Sequence, residues 1–237
     1  MTGHPPCSAP ALLDGRGEHG RRIARWPDAL RQEGGLCVIT YQCDTLEHMN
    51  VRDRVIARAA EQHGYITTRD ARDLGVDPTQ LRLMAARGRL ERVGRGAYRV
   101  PLLPRREHDD LAEAVAWTLG RGVISHESAL VLHGLSDVSP SRIHLTVPRA
   151  NHPRGAGGEL YRLHRRDLAP GDVTEHDDIP VTTTWRTIRD CIAGGTDPYQ
   201  LRLAVDQGEA QALLRRTDAE SLRSQIDARS TANTRQA

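Results

Sequence analysis

Residues 64–100 read GYITTRDARDLGVDPTQLRLMAARGRLERVGRGAYRV, and nearly every position in this stretch has a local structural job. Thr67 or Thr68 can cap a short helix over residues 69–74, because a hydroxyl accepts from amide donors that lack a partner inside the first turn. Gly75 closes that helix. Asp77 is a second cap, with Pro78 at the first helical position, where a missing N–H costs nothing. A second helix then runs over residues 78–87 and stops at Gly88. Residues 90–93 and 97–100 are short apolar-alternating runs around Gly94-Arg95-Gly96, the pattern of a hairpin with a glycine-bearing turn. Helix, turn, helix and hairpin in that order predict a winged helix-turn-helix, with residues 51–60 as its supporting first helix, since Val51, Val55, Ile56, Ala59 and Ala60 share one face.

The charge agrees with that shape. Arginines at 69, 72, 82, 87, 89, 92, 95 and 99 face acids only at 70, 73, 77 and 91, so the stretch carries +4 while the whole chain is +2. A basic module of this form is the electrostatic footprint of a DNA-binding domain. Residues 49–108 hold 13 arginines and 7 acids, whereas residues 109–227 hold 13 and 18. The first part should attract polyanions and the second repel them, which suits the second to protein partners or self-association.

At 237 residues the chain has room for one large or two small domains. All 33 basic residues are arginine, so no chemistry that requires a lysine amine resides here. Cys7, Cys37, Cys43 and Cys191 show no CxxC spacing and read as free thiols in a reducing cytosol. No apolar run approaches the roughly 20 residues of a membrane helix, and residues 9–13 are too short and proline-broken for a secretion signal. The expectation is a soluble, cytoplasmic protein without a membrane partner.

Residues 1–48 lack periodicity apart from a strand-like run at 36–41. They read as a disordered or mis-annotated extension, the folded protein opening at Met49. The winged module is expected over residues 49–104, and residues 105–106 form a basic connector after Pro101 and Pro104. A mixed α/β domain is expected over 109–227, with a disordered polar tail from 228 to 237. Within it, Ser125 caps a helix that Gly134 ends, and residues 142–147 alternate like a half-buried strand. Residues 151–158 form a glycine-rich loop, and residues 160–164 alternate again. Residues 173–176 and 179–182 are strand candidates flanking an Asp177-Asp178 turn, and Thr183 or Thr184 caps a further helix. Asp197-Pro198 starts the last long one. The fold class is thus α+β.

The winged module followed by SHESALVLHGL (125–135), RIHLTV (142–147), GGELYRLHRRDLAPGDV (157–173), IPVTTTWRTIRDCI (179–192) and AVDQGE (204–209) resembles the AbiEi family of antitoxins from bacterial type IV toxin–antitoxin systems. The resemblance covers about residues 49–215 and is most specific at IPVTTTWRTIRD and GYITTRDARDLGV. It implies an N-domain that binds inverted repeats in its own promoter, and a C-domain needed to neutralise a nucleotidyltransferase-type toxin. Two other readings stand beside it. One is a relative of the Vsr-like endonucleases, which share the front half; about 30 residues after Ala204-Val205 leave little room for the nuclease. The other is a ligand-responsive winged-helix transcription factor without a toxin partner.

The second helix of such a module lies in the major groove with its N-terminal residues at the base edges. Leu81, Met84 and Ala85 share an inward face, leaving Thr79, Gln80, Arg82, Leu83 and Arg87 toward solvent. Gln80 is suited to adenine and Arg82 to guanine, each bidentately. Thr79 and Arg87 are expected on base or phosphate, Arg69 and Arg95 on phosphates, and Arg99 is counted with them. One module reads few base pairs, so a dimer or two copies on a repeat are expected.

Enzyme readings find little support. His126 and His133 could share a helical face near Glu127, but packing explains such histidines. Asp172, Glu175, Asp177 and Asp178 could hold Mg²⁺, yet turn chemistry accounts for the last two. A nuclease site of the Asp…Glu-x-Lys type needs a lysine. Gly155-Ala156-Gly157-Gly158 does not link a strand to a helix as a phosphate loop would. No catalytic residue, metal or cofactor is expected.

Overall fold

The computed structural model describes residues 49–150, 153 and 157–234. The expectations for residues 1–48 with their three cysteines, and for Gly155-Ala156, lie outside the described residues. The remaining cysteine, Cys191, is buried and free, and burial pushes its thiol pKa up.

Local signals place the first elements. Helix α1 (Val51–Ala60) starts behind Asn50, whose side chain accepts from the Asp53 amide. Strand β1 (Tyr65–Thr67) runs straight into α2 (Thr68–Asp73) through a reciprocal cap: the Asp70 amide donates to Thr67 Oγ1 and the Thr67 amide to Asp70 Oδ2. Gly75 leaves α2 at φ +66°, a conformation that favours glycine. Asp77 then accepts from the Thr79 amide at 2.7 Å to open α3 (Pro78–Ala86). Strands β2 (Glu91–Gly94) and β3 (Ala97–Arg99) form an antiparallel hairpin, and β1 adds to β3 to give the order β1-β3-β2.

Strands β1 and β3 of this small sheet are buried on both faces, while β2 is exposed at Glu91 and Arg92 and half-buried at Val93 and Gly94. Ile66 and Tyr98, paired across β1 and β3, join Val55, Leu81, Met84 and Leu90 in a core under α1 to α3. On the opposite face, Tyr65 and Ala97 pack with Leu111 and Trp117 of α4 (Asp109–Trp117) and on to Leu145 and Val181 of the second sheet. The described residues accordingly fall within one compact unit. Tyr65 ties the junction by donating to Asp109 Oδ2 or Glu113 Oε2, each 3.0 Å away. Burial, reinforced by the Glu113 carboxylate, drives its phenol pKa far up, so the hydroxyl stays a donor. His63 closes the far side through Nε2 and the Asp177 carbonyl.

The second sheet is mixed. Its order is β6-β5-β4-β8-β7, built from β4 (Val123–Ile124), β5 (Ile143–Val147), β6 (Tyr161–Arg165), β7 (Val173–His176) and β8 (Ile179–Thr182). β4 lies parallel to β8, β5 parallel to β6, and the other neighbours antiparallel. Helices α5 (His126–Leu132), α6 (Thr184–Gly194), α7 (Pro198–Ala210) and α8 (Arg216–Thr234) enclose a third core around Leu130, Ile188, Leu201 and Leu222.

Four local expectations need correction. Ser125 and Thr183 stand at N-cap positions without a side-chain cap bond. Ser125 Oγ instead accepts from Thr146 Oγ1 at 2.8 Å, and Thr182 and Thr187 bond each other at 2.6 Å beside Thr183. β5 is not half-buried: His144 and Thr146 are 6% and 2% exposed, because the α5 segment covers the face that alternation assigns to water. Nor does the chain lose structure at residue 228, since α8 continues to Thr234. Ala219, Leu222 and Ile226 give that helix a buried stripe, and Arg229 donates to the Ile192 and Thr196 carbonyls.

The most specific block of the resemblance, IPVTTTWRTIRD, turns its polar residues inward. Arg186 reaches Asp172 at 2.7 Å and Asp190 at 2.9 Å, and Arg166 reaches the other oxygen of Asp190 at 3.0 Å. Arg186→Ala leaves two carboxylates facing a hole and should cost about 3–5 kcal/mol, read from the midpoint of urea unfolding. A β-carbon built on Gly94 falls 2.9 Å from Trp117 Cδ1. Gly94→Ala should therefore lose about 1–3 kcal/mol through overpacking; an unchanged midpoint would refute the close contact.

Candidate nucleic-acid interface

Helix α3 has one face in the core and one in water. Leu81 and Met84 point inward, while Thr79, Gln80, Arg82, Leu83 and Arg87 are exposed, as the helical spacing predicts. Asp77 sets the start of this outward face. Its carboxylate pKa is lowered, chiefly by the Thr79 amide hydrogen bond, so it remains an anionic cap. The Thr79 hydroxyl in turn accepts from Arg82 at 3.0 Å and orients that guanidinium along the helix.

Beside α3 lies a cleft of about 690 Å³ between α2, the hairpin and the end of α4. Arg72 from α2, Arg82 from α3, Arg92 from β2 and Arg95 from the hairpin turn line it. The turn is fixed in place: the Thr68 amide donates to the Gly96 carbonyl at 2.8 Å, and Gly96 adopts φ +78° against Thr68 and Leu119. Arg92 Nε donates to the Gly94 carbonyl at 3.2 Å, holding its side chain across the same turn. Thus Arg82 and Arg95 meet in one cleft, joined by Arg72 and Arg92. Arg69 and Arg87 are exposed but do not line it.

Arg99 departs from the expectation. It lies on the α4 side of β3, opposite Tyr65 in register, and is 6% exposed. Its guanidinium donates to the Leu103 carbonyl at 2.9 Å and sits 4.0 Å from Glu91. A buried arginine bound within its own module is not presented to a phosphate, so Arg99 belongs to the fold. The alternating pattern could not reveal this, because it treats the second face of a hairpin as open to solvent.

The ion pairs sort the arginines further. Arg69, Arg72, Arg82, Arg87, Arg89, Arg92 and Arg95 are all exposed, and among the described residues none has a carboxylate within ion-pair distance. In the second half Arg166, Arg186, Arg202, Arg216 and Arg223 are each paired with an acid. Among the described residues, seven unpaired arginines thus cluster around α2, α3 and the hairpin, in a part with an excess of arginine, whereas residues 109–227 hold more acids than arginines. An uncompensated surface of this kind raises the local concentration of polyanions and repels other cations.

Other groups weighed from the sequence have structural partners. Asp172 binds Arg186 and the Ala169 amide, and Asp177 and Asp178 form the β7–β8 turn at φ +51° and +61°. His133 does not meet His126; its Nε2 lies 2.8 Å from the Thr182 carbonyl. His126 instead stacks on His164, with ring centroids 3.5 Å apart, and His144 joins them, a grouping that spacing along the chain does not signal. Burial is the first cause that lowers all three pKa values, to about 3 for His126 and about 4 for His164.

Residues 53–101 match the family model described as transcriptional regulator, AbiEi antitoxin. That span contains α1 to α3, the small sheet and all seven uncompensated arginines, and it bears out the resemblance over this part of the chain. Among solved structures the chain is similar to the Rv2827c protein from Mycobacterium tuberculosis. The identity is 14%, the match covers 73% of this chain and 80% of that one, and the TM-score is 0.37. No curated protein matches. Among the described residues no helix is long and apolar enough to cross a membrane.

If the uncompensated arginines act together, the chain should be retained on heparin well above physiological salt. Arg72→Ala with Arg92→Ala should elute earlier, while Arg202→Ala, which removes a paired arginine, should elute with the parent chain. Equal retention of all three would show that the cleft arginines do not form the polyanion-binding face.

Proposed function

We propose that this chain is a DNA-binding antitoxin that represses its own operon, with residues 49–104 acting as a winged helix-turn-helix and residues 109–227 serving the toxin-directed role. The observation that carries the reading is the set of seven exposed arginines without carboxylate partners around α3, within the span that matches the AbiEi regulator model. Helix α3 would enter the major groove with Gln80 toward adenine and Arg82 toward guanine. Thr79 and Arg87 flank them on base or phosphate. Arg69, Arg72, Arg92 and Arg95 take the phosphates, which fix register without reading sequence. The half-exposed Leu83 suits apolar contact with a thymine methyl.

The division near residue 105 is then one of task. Both parts share the core between β1, β3 and α4, so the reading surface is held rigidly by the part that we assign to the toxin. The net negative charge of residues 109–227 suits a basic protein partner in the cytoplasm, and a nucleotidyltransferase-type toxin is the partner that the resemblance implies. Two copies on an inverted repeat would supply the base pairs that one α3 helix cannot.

Binding to the repeat upstream of the gene tests the DNA role. Gln80→Ala and Arg82→Ala should each lose about 1–3 kcal/mol on the repeat and little on a random duplex; Arg95→Ala should weaken both alike and lower the salt slope by about 1. Equal losses on both duplexes for all three variants would overturn the assignment of base contacts. Co-expression with the neighbouring open reading frame tests the second role. The full chain should rescue growth, and the Arg82→Ala chain should rescue equally. Loss of rescue with Arg82→Ala, at unchanged protein level, would place neutralisation in the DNA-binding face instead.

A further inference from the structure

We propose that His126, His144 and His164 form a three-imidazole site for a divalent transition-metal ion, zinc being the best match. Their chemistry and placement carry this independently of the DNA-binding surface. Among the described residues these three offer ligand nitrogens that all lie within 4.8 Å of one another. They come from three elements: His126 opens α5, His144 lies in β5 and His164 in β6. Thr146, not His144, is the register partner of His164, so the two strands bring their histidines together diagonally on one face.

Two of the nitrogens are buried without a partner, His144 Nδ1 and His164 Nε2. Buried polar atoms in folded proteins almost always find a hydrogen-bond partner, so two orphans in one cluster need a cause. His126 adds a second signal. It holds φ +53°, which few non-glycine residues adopt, at the head of α5. Ser125 Oγ, which accepts from Thr146, lies 3.0 Å from its Nδ1 and orients the ring. A hydrogen bond at the non-ligating nitrogen is the usual way a ligand histidine is oriented, and here a hydroxyl oxygen is placed to make it.

The geometry needs only a small closure. Tetrahedral zinc with nitrogens at about 2.0–2.1 Å sets those nitrogens roughly 3.3 Å apart. Side-chain rotation of an ångström or so brings the three into range. A recess of about 300 Å³ lined by His126, Thr146, His164 and Asp190 adjoins the cluster and leaves space for a water as fourth ligand. The nearby cations do not forbid an ion. Arg165 and Arg166 line the recess, Arg166 is paired with Asp190 at 3.0 Å, Arg162 is exposed, and the Glu127 carboxylate sets a negative charge against His144. An all-imidazole set without thiolate favours Zn²⁺, Cu²⁺ or Ni²⁺ over Mg²⁺ or Ca²⁺. Bound there, the ion would pin the edge strand β6 to β5 and to the start of α5.

The test uses the tag-free full-length chain, stripped with chelator and titrated with Zn²⁺ and with Co²⁺. One equivalent of metal should bind per chain, and Co²⁺ should show the visible absorption of tetrahedral nitrogen and oxygen ligation. His164→Gln and His126→Ala should each weaken Zn²⁺ binding at least tenfold, whereas His176→Ala, an exposed histidine outside the cluster, should not. Zn²⁺ should raise the thermal midpoint of the parent chain and leave that of His164→Gln unchanged. If a histidine variant does not fold, the Co²⁺ spectrum of the parent chain decides by itself. Absence of stoichiometric binding, a thiolate charge-transfer band, or parent-like affinity in both cluster variants would each overturn the site.

Discussion

Trp117 lodged against Gly94 is the contact on which the arrangement of the chain depends. The indole comes from the last turn of α4, the glycine from the hairpin, and Tyr161 of the second sheet lies 4.9 Å from the indole ring. One side chain thus touches the arginine-bearing sheet and the mixed sheet together. A free-standing winged module would show water one face of its small sheet. Here Tyr65 and Ala97 on that face are buried, and the Tyr65 hydroxyl is held between Asp109 and Glu113. Removing α4 would uncover an apolar patch and an orphaned phenol, so the basic surface and the acidic half fold as partners.

That coupling shapes the electrostatics. The chain is nearly neutral overall, yet its arginines fall into two populations. Five in the second half, Arg166, Arg186, Arg202, Arg216 and Arg223, lie in ion pairs, and of these Arg186 is buried, where pairing with Asp172 and Asp190 offsets the cost of removing its charge from water. Those around α3 face water and, among the described residues, form no ion pair, so an external anion would relieve their mutual repulsion. Because the end of α4 forms part of the cleft wall, a duplex seated there would press on the same helix that organises the second half. Contact of this kind provides a rigid route by which occupancy on one side can influence the other.

Much of the first part was legible because turn chemistry is local. Thr67 with Asp70, Asp77-Pro78 and Gly75 each act within four residues of their partners, Gly96 supplies the positive φ of its own turn, and the elements begin and end close to where those residues require. The Asp177-Asp178 turn fixed β7 and β8 in the same way. What could not be read depends on partners distant in sequence. The inward turn of Arg99, the burial of His144 and Thr146 and the meeting of three histidines all follow from which helix covers which sheet face. One of the two missing caps has the same origin: the Ser125 hydroxyl finds Thr146, 21 residues away, in place of an amide in its own helix. Helix α8 was missed because its apolar positions are sparse, and only its docking on α6 and α7 gives them a purpose.

The block IPVTTTWRTIRD has a plain physical content. In IPVTTTWRTIRD, Ile179 and Val181 fill the core under α4, Thr182 and Thr187 bond each other, and Arg186 and Asp190 close a buried ion network with Asp172 and Arg166. Truncating one of these residues would leave a cavity or an unpaired charge. The exposed face of α3 has no such constraint, since Gln80 and Leu83 have no partner within the chain to preserve. A sequence of this kind therefore declares its architecture through positions that do not select a ligand. If the chain binds an operator as proposed, that choice would fall to the few side chains that the architecture leaves free.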